Sequence, residues 1–185
     1  MQYQSTEDIR SGLKFIAEND PPRSSLSNSA TNLDELQKCC KAARQFINYR
    51  LRSESEVRFR LSKRFEASVV RETLAQMYRE DLLNDERFAL MFAESRKNSR
   101  PKSASAVRHE LEMKGVSRDL SLSVTADIDD LEAALCAALK KSRALSNLPE
   151  YKFRHKLIGH LRRRGFTYSM SENAANQAWA ALRPI

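Results

Sequence analysis

Three stretches of the chain, Val57-Arg58-Phe59-Arg60-Leu61-Ser62-Lys63-Arg64, Val107-Arg108-His109-Glu110-Leu111-Glu112-Met113-Lys114 and Leu157-Ile158-Gly159-His160-Leu161-Arg162-Arg163-Arg164, align without a gap at a spacing of 50 residues. Each carries an aliphatic pair four residues apart (Val57/Leu61, Val107/Leu111, Leu157/Leu161), which places both side chains on one face of a helix. Each ends on a basic residue, and the second and third continue as Gly115-Val116 and Gly165-Phe166. A glycine just past a helix end, followed by an apolar residue that folds back on the last turn, is a Schellman stop. Self-similarity at such a period is the signature of a repeat architecture.

The flanks repeat as well. Upstream, helical spacing joins Leu36, Cys39, Ala43, Phe46, Ile47 and Leu51 in the first unit, and Phe88, Ala89, Phe92 and Ser95 in the second. In the third it joins Ile128, Leu131, Ala134, Leu135, Ala138 and Leu139. Asn84 or Asp85 is expected to cap the second of these helices, and Asp127 the third. Downstream come Val69, Val70, Thr73, Leu74 and Met77 in the first unit and Ala175, Ala178, Trp179 and Leu182 in the last. The middle unit has a short third helix around Leu120 and Val124, because serine favours caps over helix interiors. Ser53 to Glu56 reads as a capping box. The expected organisation is an N-terminal tail and polar linker over 1–32, then three-helix repeats over 33–80, 81–126 and 127–185. Within the tail, Ile9, Leu13 and Ile16 fit one short amphipathic helix.

Composition agrees with an all-α class. With 4 glycines and 5 prolines in 185 residues, long runs are free of either helix breaker. No window is dominated by β-branched residues. No apolar run approaches the roughly 18 residues of a membrane span, and the N-terminus lacks the apolar core of a signal peptide. Three cysteines, two of them adjacent (Cys39 and Cys40), make no disulfide framework and read as buried thiols. The chain is expected to be a cytoplasmic monomer, stacked as an elongated molecule.

Thirty-two basic residues against 24 acidic ones give a net charge of +8, a balance suited to a polyanionic partner. The excess is clustered. Seven basic residues face three acidic ones from Arg50 to Arg71, seven face three from Glu94 to Arg118, and nine face one from Lys140 to Gly165. The expected polyanion contacts are Arg52, Arg58, Arg60, Lys63 and Arg64 in the first repeat, and Arg96, Lys97, Arg100, Lys102, Arg108 and Lys114 in the second. In the third they are Lys152, Arg154, Arg162, Arg163 and Arg164. Three consecutive arginines fan over about 200° of a helix, at about 100° per residue. With Leu157 and Leu161 facing inward, Arg162 and Arg163 are expected on the flanks and Arg164 nearer the Leu161 side, at the helix end. Nothing in the chain suggests chemistry. His109 lacks the second histidine of a zinc-binding helix, and His155 and His160 share no helix face. No phosphate-binding glycine loop, nucleophile elbow or paired-cysteine motif occurs. Asp81, Asp85 and Glu86 cluster, but helix capping by Asp85 accounts for them without a cation. No enzyme activity, cofactor or metal is expected.

The run Leu82-Leu83-Asn84-Asp85-Glu86-Arg87-Phe88-Ala89, then Pro101, then Val107 to Val116, resembles the RecX family of recombination regulators. Arg52 to Leu61 and Leu161-Arg162-Arg163-Arg164-Gly165-Phe166 are similar to the same family, and the likeness spans about residues 40–170. It implies tandem three-helix repeats in a curved molecule lying in the groove of the RecA–DNA filament. It also implies restraint of RecA strand exchange, ATP hydrolysis and co-protease activity, within the regulation of DNA repair and the SOS response. The chain departs from the family pattern at Lys63-Arg64-Phe65, which has no glycine, and in the glycine-free loop Asn98-Ser99-Arg100-Pro101. The competing readings are a general nucleic-acid-binding helical module and a helical scaffold that binds protein alone.

Overall fold

The structure, a computed structural model, describes residues 24–183, with side chains from residue 32 onward. The expected tail helix of Ile9, Leu13 and Ile16 lies outside the described residues. Among those described, the chain is all-helical: α1 (Ser24–Tyr49), α2 (Glu54–Leu61), α3 (Ala67–Arg79), α4 (Asp85–Ser99), α5 (Ala104–Glu112), α6 (Arg118–Val124), α7 (Asp130–Ser142), α8 (Glu150–Arg162) and α9 (Tyr168–Leu182). A 3₁₀ turn, Arg143–Leu145, follows α7. The helices pack in threes, α1–α2–α3, α4–α5–α6 and α7–α8–α9.

Each triplet is built around its middle helix. Val57 and Leu61 of α2, Val107 and Leu111 of α5, and Leu157 and Leu161 of α8 are all at most 2% exposed. Around them gather Cys39, Ala43, Val70 and Met77 in the first core, Phe88, Ala89 and Val116 in the second, and Phe153, Phe166 and Ala175 in the third. The expected buried face of α3 (Val69, Val70, Thr73, Leu74 and Met77) is buried throughout. In the middle unit α6 is only seven residues long, and Ser121 turns its hydroxyl back to the Arg118 carbonyl at 2.8 Å.

Some local expectations change, and one choice between two caps is settled. Residues 24–32, read as linker, are helical and form the start of α1. No glycine or proline lies between Arg23 and Tyr49, and extending a nucleated helix gains one hydrogen bond for each residue fixed. The cap of α7 is Asp129, not Asp127: its carboxylate accepts from the amides of Leu131 and Glu132 at 2.8 and 3.2 Å. Ile128 therefore precedes the helix and packs into the second core. The cap of α4 is Asn84, which leaves the Asp85 carboxylate to accept the Glu54 amide of α2 at 2.8 Å. Finally, α7 is rotated from its expected face. Ala134, Ala137 and Ala138 are buried, while Leu131 and Leu139 are 57% and 40% exposed. The reason is close packing of α7 on α9, where Ala174, Ala175 and Ala178 meet that alanine face, because small side chains permit a short interaxial distance. Ser95 is likewise exposed on α4.

The helix stops explain the glycine pattern. The Val116 amide bonds the Leu111 carbonyl at 3.1 Å and the Gly115 amide that of Glu112 at 2.9 Å, and Phe166 and Gly165 repeat the arrangement on Leu161 and Arg162. Gly115 and Gly165 have φ of +81° and +91°, and a Cβ there would overlap Ser55 in one case and Ser103 and Ala106 in the other. Each stop thus presses on the start of the preceding unit's middle helix. The first unit's stop has no such neighbour among the described residues. It ends with Phe65 bonding Leu61 at 3.1 Å, in ordinary geometry, and needs no glycine.

Candidate nucleic-acid interface

The units meet at two equivalent joints. At the first, the buried Ser53 caps α2 by accepting the Glu56 amide at 3.2 Å and donates its hydroxyl to the Lys114 carbonyl at 2.6 Å. At the second, Ser103 caps α5 by accepting the Ala106 amide at 3.2 Å, and its own amide donates to the Arg164 carbonyl at 3.1 Å. A first-turn aspartate supports each: Asp85 accepts the Glu54 amide, and Asp130 accepts the Ala104 amide at 2.7 Å. The basic segments at the end of each middle helix are therefore held against the loop that opens the middle helix before.

Many of the expected contact residues are already engaged. Lys114 pairs with Glu56 at 2.8 Å, Arg96 with Glu110 at 2.7 Å, and Lys102 with the same Glu110. Arg58 pairs with Glu54 and Arg154 with Glu150, each one turn along its own helix. Burial works against ionisation of Glu56 and Glu110, yet Lys114 and Arg50 at the first, and Lys102 and Arg96 at the second, hold both carboxyls below the usual carboxylate range. Arg52 lies half-buried with its guanidinium 4.1 Å from the Phe46 ring centre, and Arg60 reaches the same ring at 5.7 Å. Lys114, Arg96, Lys102 and Arg52 thus tie different elements together, whereas the Arg58 and Arg154 pairs are exposed contacts within one helix; in all of them the charge is partly spent on neighbours.

The remainder face solvent. Arg60, Lys63, Arg64, Lys97, Arg100, Lys152, Arg162 and Arg163 are exposed and Arg108 is half-buried, and none makes an ion pair among the described residues. Lys63 and Lys152 rest near the Phe59 and Tyr151 rings, at 4.4 and 5.7 Å, and Arg64 near that of Phe65 at 5.8 Å. Of the three consecutive arginines, Arg162 and Arg163 point outward, while Arg164 turns inward and donates Nη1 to the Pro101 carbonyl at 2.9 Å. Burial, then the charges of Arg164, Lys141 and Arg163, lower the pKa of His160, which favours its neutral form at pH 7.

Two basic residues at the joints escaped the reading from sequence. Arg50 bonds Glu56 at 3.0 Å and the Leu51 carbonyl at 3.0 Å, and Lys140 donates to the Asn98 carbonyl at 2.6 Å. Arg50 was findable, since it stands 50 residues before Arg100 in the repeat register. Among the described residues no group of three or more His, Cys, Asp or Glu side chains could hold a metal ion. Cys39 and Cys40 are buried free thiols and Cys136 is half-buried.

Two family models match this chain: the RecX second three-helix domain over residues 84–121 and the RecX third three-helix domain over residues 127–174. A Regulatory protein RecX from Prosthecochloris aestuarii is 32% identical over 133 residues, covering 71% of this chain and 87% of the relative. The protein belongs to the RecX family. The domain matches fall on α4–α6 and α7–α9, so the second and third units correspond to the family's second and third three-helix domains. A second relative, Regulatory protein RecX from Corynebacterium efficiens, is 33% identical over 141 residues, which is 71% of this chain and 67% of the relative. Other relatives are longer, and the chain spans 56% to 57% of their length. A solved structure, that of a regulatory protein RecX, superposes with a TM-score of 0.69 at 22% identity, over 85% of this chain and 80% of the other. It shares the helical repeat fold.

Proposed function

We propose that this chain is a regulatory protein that binds the RecA–DNA filament and restrains the strand exchange, ATP hydrolysis and co-protease activity of RecA. On this reading it acts as a cytoplasmic monomer that binds rather than catalyses, and its partners are the RecA recombinase filament and single- or double-stranded DNA. The observation that carries the reading is the set of outward cations Arg100, Arg162 and Arg163 around the second joint, none of them in an ion pair among the described residues. Cations left without carboxylate partners beside a fixed backbone suit a phosphate chain, and the relatives' name as regulatory proteins supports the rest.

The test is the ATPase rate of RecA on single-stranded DNA with and without this protein, together with its affinity for bare DNA and for the RecA-coated strand. Lower ATP hydrolysis and much tighter binding to the coated strand are expected. Equal binding to both strands with no effect on hydrolysis would leave a general nucleic-acid-binding module instead.

A further inference from the structure

The repeat allows the two joints to be compared position by position. At the first, two cations share one carboxylate: Glu56 accepts from Arg50 at 3.0 Å and from Lys114 at 2.8 Å. At the second, Arg100 stands in the register of Arg50 and Arg164 in that of Lys114, but the register of Glu56 holds Ala106. The cations remain and the acid is gone. Arg164 is drawn in by the Pro101 carbonyl at 2.9 Å, next to Arg100 in sequence, and Lys140 joins from α7 through the Asn98 carbonyl at 2.6 Å. Arg164 and Lys140 thus each donate to a carbonyl within residues 98–101, the charge of Arg100 acts on Arg164, and none of the three makes an ion pair among the described residues. Nε and Nη2 of Arg164 donate to no acceptor among the described residues. Burial, followed by the nearby charge of Arg100, lowers the Arg164 pKa, as expected for uncompensated like charges.

We infer that the second joint is a phosphate seat, in which Arg100, Arg164 and Lys140 hold the phosphodiester backbone of a nucleic acid, while the first joint is closed to anions by its own Glu56. This rests on the nucleic-acid half of the function proposed above and assigns it to one place. The chemistry fits a phosphodiester. Its two charged oxygens match the planar fork of a guanidinium, and Arg164 is already oriented by the Pro101 carbonyl, so less side-chain freedom is lost on binding. Its partial burial also weakens the competition from water. Exposed Arg162 and Arg163 follow on the same helix end and give a charged chain somewhere to continue.

The experiment is anisotropy of a labelled oligothymidine with the full chain, without RecA, across a salt series. Variants are Arg100→Gln, Lys140→Gln and Ala106→Glu, the last restoring the acid of the first joint. Each should weaken binding several-fold and reduce the slope of log affinity against log salt by about 0.7, the value for one phosphate contact on a single strand. Ala106 packs against Gly165, so a melt accompanies each variant, and if Ala106→Glu does not fold the two glutamine variants decide. Folded Arg100→Gln and Lys140→Gln proteins with wild-type affinity and slope would overturn the seat. So would failure of the wild-type chain to bind the oligonucleotide, or its displacement by oligoglutamate as readily as by unlabelled oligothymidine, which would mark an acidic protein as the ligand. Since RecA is absent, an Arg100-dependent slope in a protein that leaves RecA hydrolysis untouched keeps the seat and removes the filament reading, and the reverse pattern does the opposite.

Discussion

The Ser53 hydroxyl donates to the Lys114 carbonyl at 2.6 Å across 61 residues of sequence, while the same oxygen accepts the Glu56 amide that starts α2. One buried side chain therefore caps a helix in one unit and satisfies a helix-end carbonyl in the next. Ser53→Ala removes both bonds and leaves the Lys114 carbonyl without that donor. The expected loss is about 1–3 kcal/mol, read from the midpoint of denaturant unfolding. An unchanged midpoint would mean that the joint contributes nothing to stability.

The glycines separate into two kinds. Gly115→Ala and Gly165→Ala each place a Cβ at positive φ and against the preceding unit, and should cost about 1–3 kcal/mol each. Gly159 lies inside α8, where a Cβ meets nothing closer than the Arg163 side chain at 3.6 Å. Gly159→Ala should instead stabilise by about 0.5–1 kcal/mol. Thermal melts of the three variants check the contrast, and a shift of the same sign in all three would refute it.

Leu111 is fully buried at the centre of the second core. Leu111→Ala should cost about 2–5 kcal/mol, through lost transfer energy and the cavity left behind. The fall in melting temperature by circular dichroism is the measurement, and no fall would contradict the register of the repeat.

The acid limb of stability should carry a trace of the first joint. Burial opposes ionisation of Glu56, but Lys114 and Arg50 outweigh it, so its folded pKa lies below the unfolded one. With that sign, the stabilisation is complete above the unfolded value of about 4.3 and is lost as pH falls through the lower folded value. The stability gap between the wild type and Glu56→Gln should be constant from pH 7 to about pH 5 and should close at lower pH. A gap that does not narrow at all as pH falls below the unfolded value would place the contribution of Glu56 in something other than its charge.

What could be read directly from the chain was whatever depends on local spacing. The 50-residue period, the pairs Val57/Leu61, Val107/Leu111 and Leu157/Leu161, the capping box at Ser53 and the stops at Gly115 and Gly165 follow from helix geometry and backbone conformational cost, which act over a few residues. Other features depended on what each element packs against. On α7 the leucines fitted an apolar stripe as well as the alanines did, and only the alanine face of α9 decided which turned inward. Of the two candidate caps for α4, Asn84 took the role while Asp85 accepts an amide 31 residues away, that of Glu54, and on α7 Asp129 took the cap expected of Asp127. The charge tallies located the basic segments, but whether a given cation is spent depends on a carboxylate brought in by the fold. Glu56 neutralises Arg50 and Lys114, and Ala106 leaves Arg100 and Arg164 open, because side chains distant in sequence interact only once the joints bring them within a few ångströms of each other.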